Sequence, residues 1–179
     1  MSKTLERIDE RIPDAIINLR YATTSNITHK PLYTAGIAAL RPHALSALVR
    51  AADNLRKQSY RVVIWDAYRP PGVQEQLLAV CDDGDYVAQI SNHCRGITLD
   101  MTLADNSGEL LDMGTDHDEF SEKAHAGSPL ITSKQVENRE LLRNTMENAG
   151  FKQLPTEWWH FDYVSGLDEP VLSIRLEDI

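Results

Sequence analysis

The sequence has no surplus of positive charge, no long apolar run, no glycine-rich phosphate loop and almost no cysteine, and each absence removes a class of function. Its 18 lysines and arginines stand against 27 acidic residues, a net charge of -9, and the basic residues are dispersed along the chain. Such a charge distribution suits neither a nucleic-acid partner nor an anionic membrane surface. No segment approaches the length of a membrane span, and MSKTLERIDERIPDAI carries charges where a signal peptide needs its apolar core. The expected location is therefore cytoplasmic. The two cysteines, Cys81 and Cys94, form no CxxC pair, and in a reducing compartment both are expected to be free thiols. Repeats, low-complexity tracts and linkers are also missing, which points to a single domain over residues 1–179.

What is present describes an ordinary globular core. Hydrophobic residues make up 42% and charged residues 25%, and a chain of this size buries roughly 70% of its unfolded surface without needing a metal or disulfide. AIINLRYAT, from Ala15, reads as a first strand and SNITHKPLYTAG as a long loop after it. From Pro42, Leu45, Leu48, Ala52 and Leu55 fall on one face of a helix with a proline in its first turn. RVVIWDAY reads as a buried strand ended by Pro70 and Pro71, and VQEQLLAV as a short helix. GITLDMTL alternates, with Ile97, Leu99, Met101 and Leu103 on one face and Thr98, Asp100 and Thr102 on the other. The turn ADNSGE would return LLDM as a hairpin partner, and residues 115–132 look irregular. SKQVENRELLRNTMENAG reads as a helix capped by Ser133, with Leu142, Met146 and Ala149 on one face and Gly150 at its stop. EWWHFDYV has strand character, with Trp159, Phe161 and Tyr163 opposite Trp158, His160 and Asp162. Strands and helices mix without βαβ alternation, so the fold class is α+β rather than a doubly wound nucleotide binder.

Three short stretches carry candidate chemistry. In SNHCRGITLD, Gly96 lets the chain turn tightly between a loop histidine, His93, and a strand aspartate, Asp100, so that both can face one site. Taken alone, the pair also fits a surface hydrogen bond. In EWWH an ideal strand would separate Glu157 from His160, and Pro155 argues against a helix, so Glu157 is expected in the turn before the strand, curled over His160. Alone, that stretch also fits a surface glutamate and a core histidine. Together His93, Asp100 and His160 offer two imidazoles and a carboxylate, the donor set of catalytic zinc with one position left for water, and Glu157 suits a general base. In WDAYRP, Arg69 stands at a strand end beside two prolines, a rigid mount for an oxyanion donor, although an ion pair with Asp66 fits it as well.

With YATTSN, WDAYRP, SNHCRGITLDMTL, LDMGTDHDEF, and MENAGF followed by EWWH all in order, the sequence resembles the zinc D-alanyl-D-alanine dipeptidases of the type associated with vancomycin resistance. The resemblance implies one zinc ion per chain on His93, Asp100 and His160, with Glu157 as catalytic base and Arg69 stabilising the tetrahedral intermediate. It further implies that Asp118 receives the substrate ammonium and that Ser91 and Tyr21 lie in the substrate pocket. The implied substrate is the small dipeptide D-alanyl-D-alanine. The implied fold is a small α+β domain with a central antiparallel sheet flanked by helices, shared with zinc D-alanyl-D-alanine carboxypeptidases and the hedgehog signalling domain.

There are departures from the family pattern. Cys94 stands where the family has serine, the segment from Cys81 to Ile90 is short, and Asp116 and His117 add charge before Asp118. His117 is read as an extra ligand, a gate or a solvated loop residue, and His29, His43 and His125 as solvated. Rival functions are a peptidase of longer cell-wall peptides, a noncatalytic zinc module that binds a partner protein, and a Cys94 nucleophile with a histidine base.

Overall fold

Alternating apolar residues and one amphipathic helix organise the computed structural model, which describes residues 4–80 and 90–179. In chain order, β1 (Glu6–Arg7) leads into α1 (Ile8–Arg11), β2 (Ile16–Ile17), β3 (Ala39–Leu40) and α2 (Pro42–Lys57). Then come β4 (Tyr60–Asp66), α3 (Pro71–Leu78), β5 (Thr98–Asp105), α4 (Ser133–Asn148), β6 (Phe151–Leu154) and β7 (Glu157–Tyr163). The main sheet runs β2-β4-β5-β7-β6. It is antiparallel from β4 to β6, while β2 joins β4 in parallel. β1 and β3 form a separate antiparallel pair. The fold is α+β, a sheet flanked by helices.

The α2 stripe does what its spacing implies: Leu45, Leu48, Ala52 and Leu55 are all buried, and Pro42 occupies the first turn. Each leucine so buried contributes roughly 1.5–3 kcal/mol of apolar transfer energy. α2 and α4 pack on one another, on β4 and on β6. β5 lies at the centre of the sheet, and both of its faces are buried. Thr98, Asp100 and Thr102 are as enclosed as Leu99, Met101 and Leu103, and residues 115–118 contribute to the cover over Asp100. Trp158 Nε1 donates to Thr115 Oγ1 at 2.7 Å there, and His117 reaches Asp100.

Several local expectations change. The strand from Ala15 shrinks to Ile16–Ile17, after which a 3-10 turn, Arg20–Ala22, sets Tyr21 facing inward. LLDM returns beside β5 as expected but only briefly: Ala104 and Leu110 form an isolated antiparallel bridge, and the Leu111 N–H donates to Leu103 O. The chain is then drawn toward α4, where Asn138 donates to Asp112 O and Arg139 to Met113 O. The α4 cap is Thr132, not Ser133. Its hydroxyl accepts the Gln135 N–H and Gln135 Oε1 accepts the Thr132 N–H, a reciprocal pairing that needs Gln three residues after the cap. Gly150, at φ 101, ends the helix as expected.

Candidate active site

The sheet itself sets the first part of the site. Pairing places Asp66 of β4 opposite Asp100 of β5, and Asp100 opposite His160 of β7, so three polar residues form a row across three neighbouring strands. The His160 ring nitrogen Nδ1 lies 3.1 Å from Asp100 Oδ1. Its Nε2 lies 3.3 Å from Asp162 Oδ1, which also accepts a hydrogen bond from Thr98 Oγ1 at 2.6 Å. Both ring nitrogens thus face carboxylates; with a cation at Nδ1 the single remaining imidazole proton would sit on Nε2, donated to Asp162.

His93 reaches the same point from a tight turn. Ser91 caps the 3-10 turn Asn92–Arg95 by accepting the His93 N–H at 3.2 Å, and Gly96 closes it at φ 73. A side chain at Gly96 would be strained at that angle, and its Cβ would come within 2.8 Å of Leu5. The turn is docked on the end of β4: Arg69 N–H donates to His93 O, and His93 Nδ1 lies 2.7 Å from Ala67 O. The Ala67 carbonyl fixes the proton on Nδ1 and turns Nε2 inward. Nε2 is buried, has no hydrogen-bond partner among the described residues and lies 3.3 Å from Asp100 Oδ1. Leaving such an acceptor unmade costs about 1–3 kcal/mol unless something binds it.

His93, Asp100 and His160 each offer one donor atom, and these atoms lie within 4.8 Å of one another. Two neutral imidazole nitrogens and a carboxylate oxygen, each backed by an outer hydrogen bond, fit a zinc ion with room for a further ligand. Burial opposes charge on Asp100, yet His93, His117 and His160 together hold its carboxyl well below the usual carboxylate range. For His160, burial is likewise outweighed by Asp100 and Asp162, which carry its pKa to about 10 in the metal-free protein.

Glu157 departs from the expected position but not from the expected neighbour. It is the first residue of β7, not part of the preceding turn, and the β6–β7 register shifts between Gln153 and Leu154. That irregularity breaks the simple alternation, and Glu157 Oε2 comes to 3.7 Å from His160 Nδ1. Burial raises its pKa, making the carboxylate a stronger base than an exposed glutamate.

Arg69 satisfies both readings of it. Its Nε and Nη2 bond Asp66 Oδ2 at 2.9 and 2.7 Å, and Nη1 donates to Gln74 Oε1 at 2.7 Å. Asp66 is itself held by the Tyr33 hydroxyl and the Ala67 N–H. The guanidinium lies over the Tyr21 ring, with Nη2 3.7 Å from Asp100 Oδ2. It is thus a rigid cation at the edge of the donor cluster.

Asp118 adopts φ 57, a left-handed conformation that aspartate tolerates better than most residues. Its carboxylate accepts from Tyr21 Oη at 2.9 Å, and burial raises its pKa. Tyr21, Arg69, Ser91, His93, Asp100, Asp118, Glu157 and His160 all line one cavity of about 190 Å³. That is below the roughly 300–1,000 Å³ of drug-sized sites. Ile27, Leu77, Ile90, Phe120 and Leu154 add an apolar wall.

Sequence comparison decides the family. A family model described as D-ala-D-ala dipeptidase matches residues 1–173. The chain belongs to the D-ala-D-ala dipeptidase family. Among curated relatives, the D-alanyl-D-alanine dipeptidase of Escherichia coli strain K12 is 38% identical over 178 residues, covering 97% of this chain and 92% of that protein. The one from Enterococcus faecalis strain V583 is 32% identical and covers 91% of each chain. That of Enterococcus faecium is 30% identical over 86% of this chain and 88% of its own. By family, the chain is a peptidase.

Against this D-ala-D-ala dipeptidase background, the solvated reading of His117 fails: the side chain is 2% exposed and its Nε2 lies 3.1 Å from Asp100 Oδ2. Burial works against its charged form, but Asp118 and Asp100 carry its pKa upward. Nothing in local pattern marks a histidine on an irregular segment as buried. Asp162 was readable, since it follows His160 by two and must share its face. Cys94 is buried beside the site, and burial raises its thiol pKa, the reverse of what a nucleophile needs. Cys81 lies outside the described residues. No helix among the described residues is long and apolar enough to cross a membrane.

Proposed function

We propose that this protein hydrolyses free D-alanyl-D-alanine to D-alanine in the cytoplasm, with one zinc ion held by His93 Nε2, Asp100 Oδ1 and His160 Nδ1. The carrying observation is the inward-facing His93 Nε2, unpartnered among the described residues, beside the Asp100–His160 pair. Zinc in such a donor set supplies Lewis acidity, bringing the pKa of water toward about 7 and polarising a carbonyl.

The chain's own residues account for the rest. Glu157 takes a proton from the attacking water as its oxygen bonds to the carbonyl carbon. Arg69 hydrogen-bonds the negative oxygen that develops, and Asp66 and Gln74 keep its guanidinium from following that oxygen. The C–N bond then breaks as the proton held by Glu157 passes to the leaving amine. Asp118 pairs with the substrate ammonium, with the Tyr21 hydroxyl fixing the carboxylate. Ser91 serves the pocket through its turn, where it caps the His93 N–H. An ammonium buried without a partner costs several kcal/mol, so Asp118 favours a free amino terminus and disfavours a blocked one.

The test compares D-alanyl-D-alanine, its N-acetyl derivative and a pentapeptide ending in the same two residues. Preferential cleavage of the free dipeptide supports the proposal. Cleavage of the pentapeptide in preference would replace it with a wall-peptide carboxypeptidase, and a zinc-loaded protein inert on all small dipeptides with a noncatalytic zinc module.

A further inference from the structure

His117 has no part in the chemistry above, yet it stands between the two carboxylates that matter most to it. Its Nε2 lies 3.1 Å from Asp100 Oδ2, and its Nδ1 lies 3.4 Å from Asp118 Oδ2 without hydrogen-bond alignment. The ring centroids of Tyr21, Trp65 and Trp159 are 5.7, 5.5 and 5.6 Å from its own. Enclosed on these sides, the imidazole side chain is 2% exposed.

We infer that His117 is a positioning residue that ties the metal-binding carboxylate of Asp100 to the ammonium-binding carboxylate of Asp118, setting the spacing between the reacting centre and the substrate's amino terminus. The inference rests on the zinc dipeptidase reading. Asp100 divides its oxygens: Oδ1 faces His93 and His160, while Oδ2 faces His117 and Arg69. A carboxylate held through one oxygen presents the other at a fixed angle, and loss of such an outer partner typically costs about 10–100-fold in metal affinity. On the other side, Asp118 sits one residue beyond His117 in a left-handed conformation. Any shift of the ring therefore moves the backbone that aims the Asp118 carboxylate. The same ring orders both ends of a substrate only two residues long.

The experiment uses the full chain with zinc and D-alanyl-D-alanine. Zinc affinity is read by chelator competition, KM and kcat are read in excess zinc, and circular dichroism monitors the fold. His117→Phe keeps a ring in the aromatic cage and removes both nitrogens. It should weaken zinc about 10–100-fold and raise KM several-fold, with kcat changed less. His117→Gln returns an N–H near the Nε2 position, so it should recover most of the zinc affinity while KM stays raised. If the phenylalanine variant does not fold, the glutamine variant alone decides between that split and equal damage to both properties. Wild-type zinc affinity and KM in His117→Phe would overturn the inference while leaving the dipeptidase reading intact. So would equal losses in zinc affinity for both variants. A wild-type protein that binds no zinc in the same assay would instead sink the zinc reading and this inference with it.

Discussion

The two ends of the cavity are built by different means. At the proposed metal end, Asp100 and His160 are neighbours across a strand ladder, Asp162 of the same strand orients His160, and the Ala67 carbonyl at the end of β4 orients His93. At the proposed ammonium end, Asp118 belongs to no strand or helix and is held by side chains reaching in from elsewhere. Tyr21 bonds its carboxylate, and Arg139 of α4 donates to the carbonyls of Met113, Lys123 and His125 on either side of it. A ladder sets positions by register, whereas a loop needs individual tethers. The part of the proposed chemistry that tolerates least displacement is thus anchored on the sheet and on a turn docked to it, and the proposed recognition of the substrate ammonium sits on the loop.

The comparison can be broken most severely at Asp100. Asp100→Ala removes a donor from the row and should abolish zinc binding and activity together; a variant that still holds a full equivalent of zinc would take Asp100 out of the ligand set. Glu157→Gln is expected to keep zinc and lose at least about 10²-fold in kcat, and undiminished turnover would remove Glu157 from the mechanism. Asp118→Asn acts at the other end. It should raise KM for the free dipeptide at least about 10-fold, through loss of a buried charge partner, while zinc content stays at the wild-type level. Mildest in its effect on the reaction is Arg139→Met, which frees three loop carbonyls and should lower stability by about 2–3 kcal/mol. It should raise KM more than it weakens zinc binding, and the reverse order would show that the ends are not separately built.

The same contrast explains what could be read in advance. β5 alternates cleanly, and β7 does so from His160 onward, so Asp100, His160 and Asp162 were legible as facing residues before any contact was known. The α2 stripe and its proline were legible for the same reason, since periodicity fixes a face. Glu157 was placed in the wrong element because a register shift between Gln153 and Leu154 defeats alternation, although its nearness to His160 followed from Pro155 and the short spacing. The burial of His117 was not legible. It depends on Tyr21, Trp65 and Trp159, which come from three distant parts of the chain. Arg69 illustrates a different limit: the ion pair with Asp66 and the site-facing role compete on paper, yet in the fold the ion pair is what holds the guanidinium at the cavity.

The most direct measurement is a zinc titration of the metal-free enzyme, followed by D-alanyl-D-alanine hydrolysis. The proposed reaction predicts that activity is absent after chelation, rises with added zinc, and reaches its plateau at one equivalent per chain. Turnover that survives chelation and is instead abolished by thiol alkylation would contradict it, and would move the chemistry from the His93–Asp100–His160 cluster to Cys94.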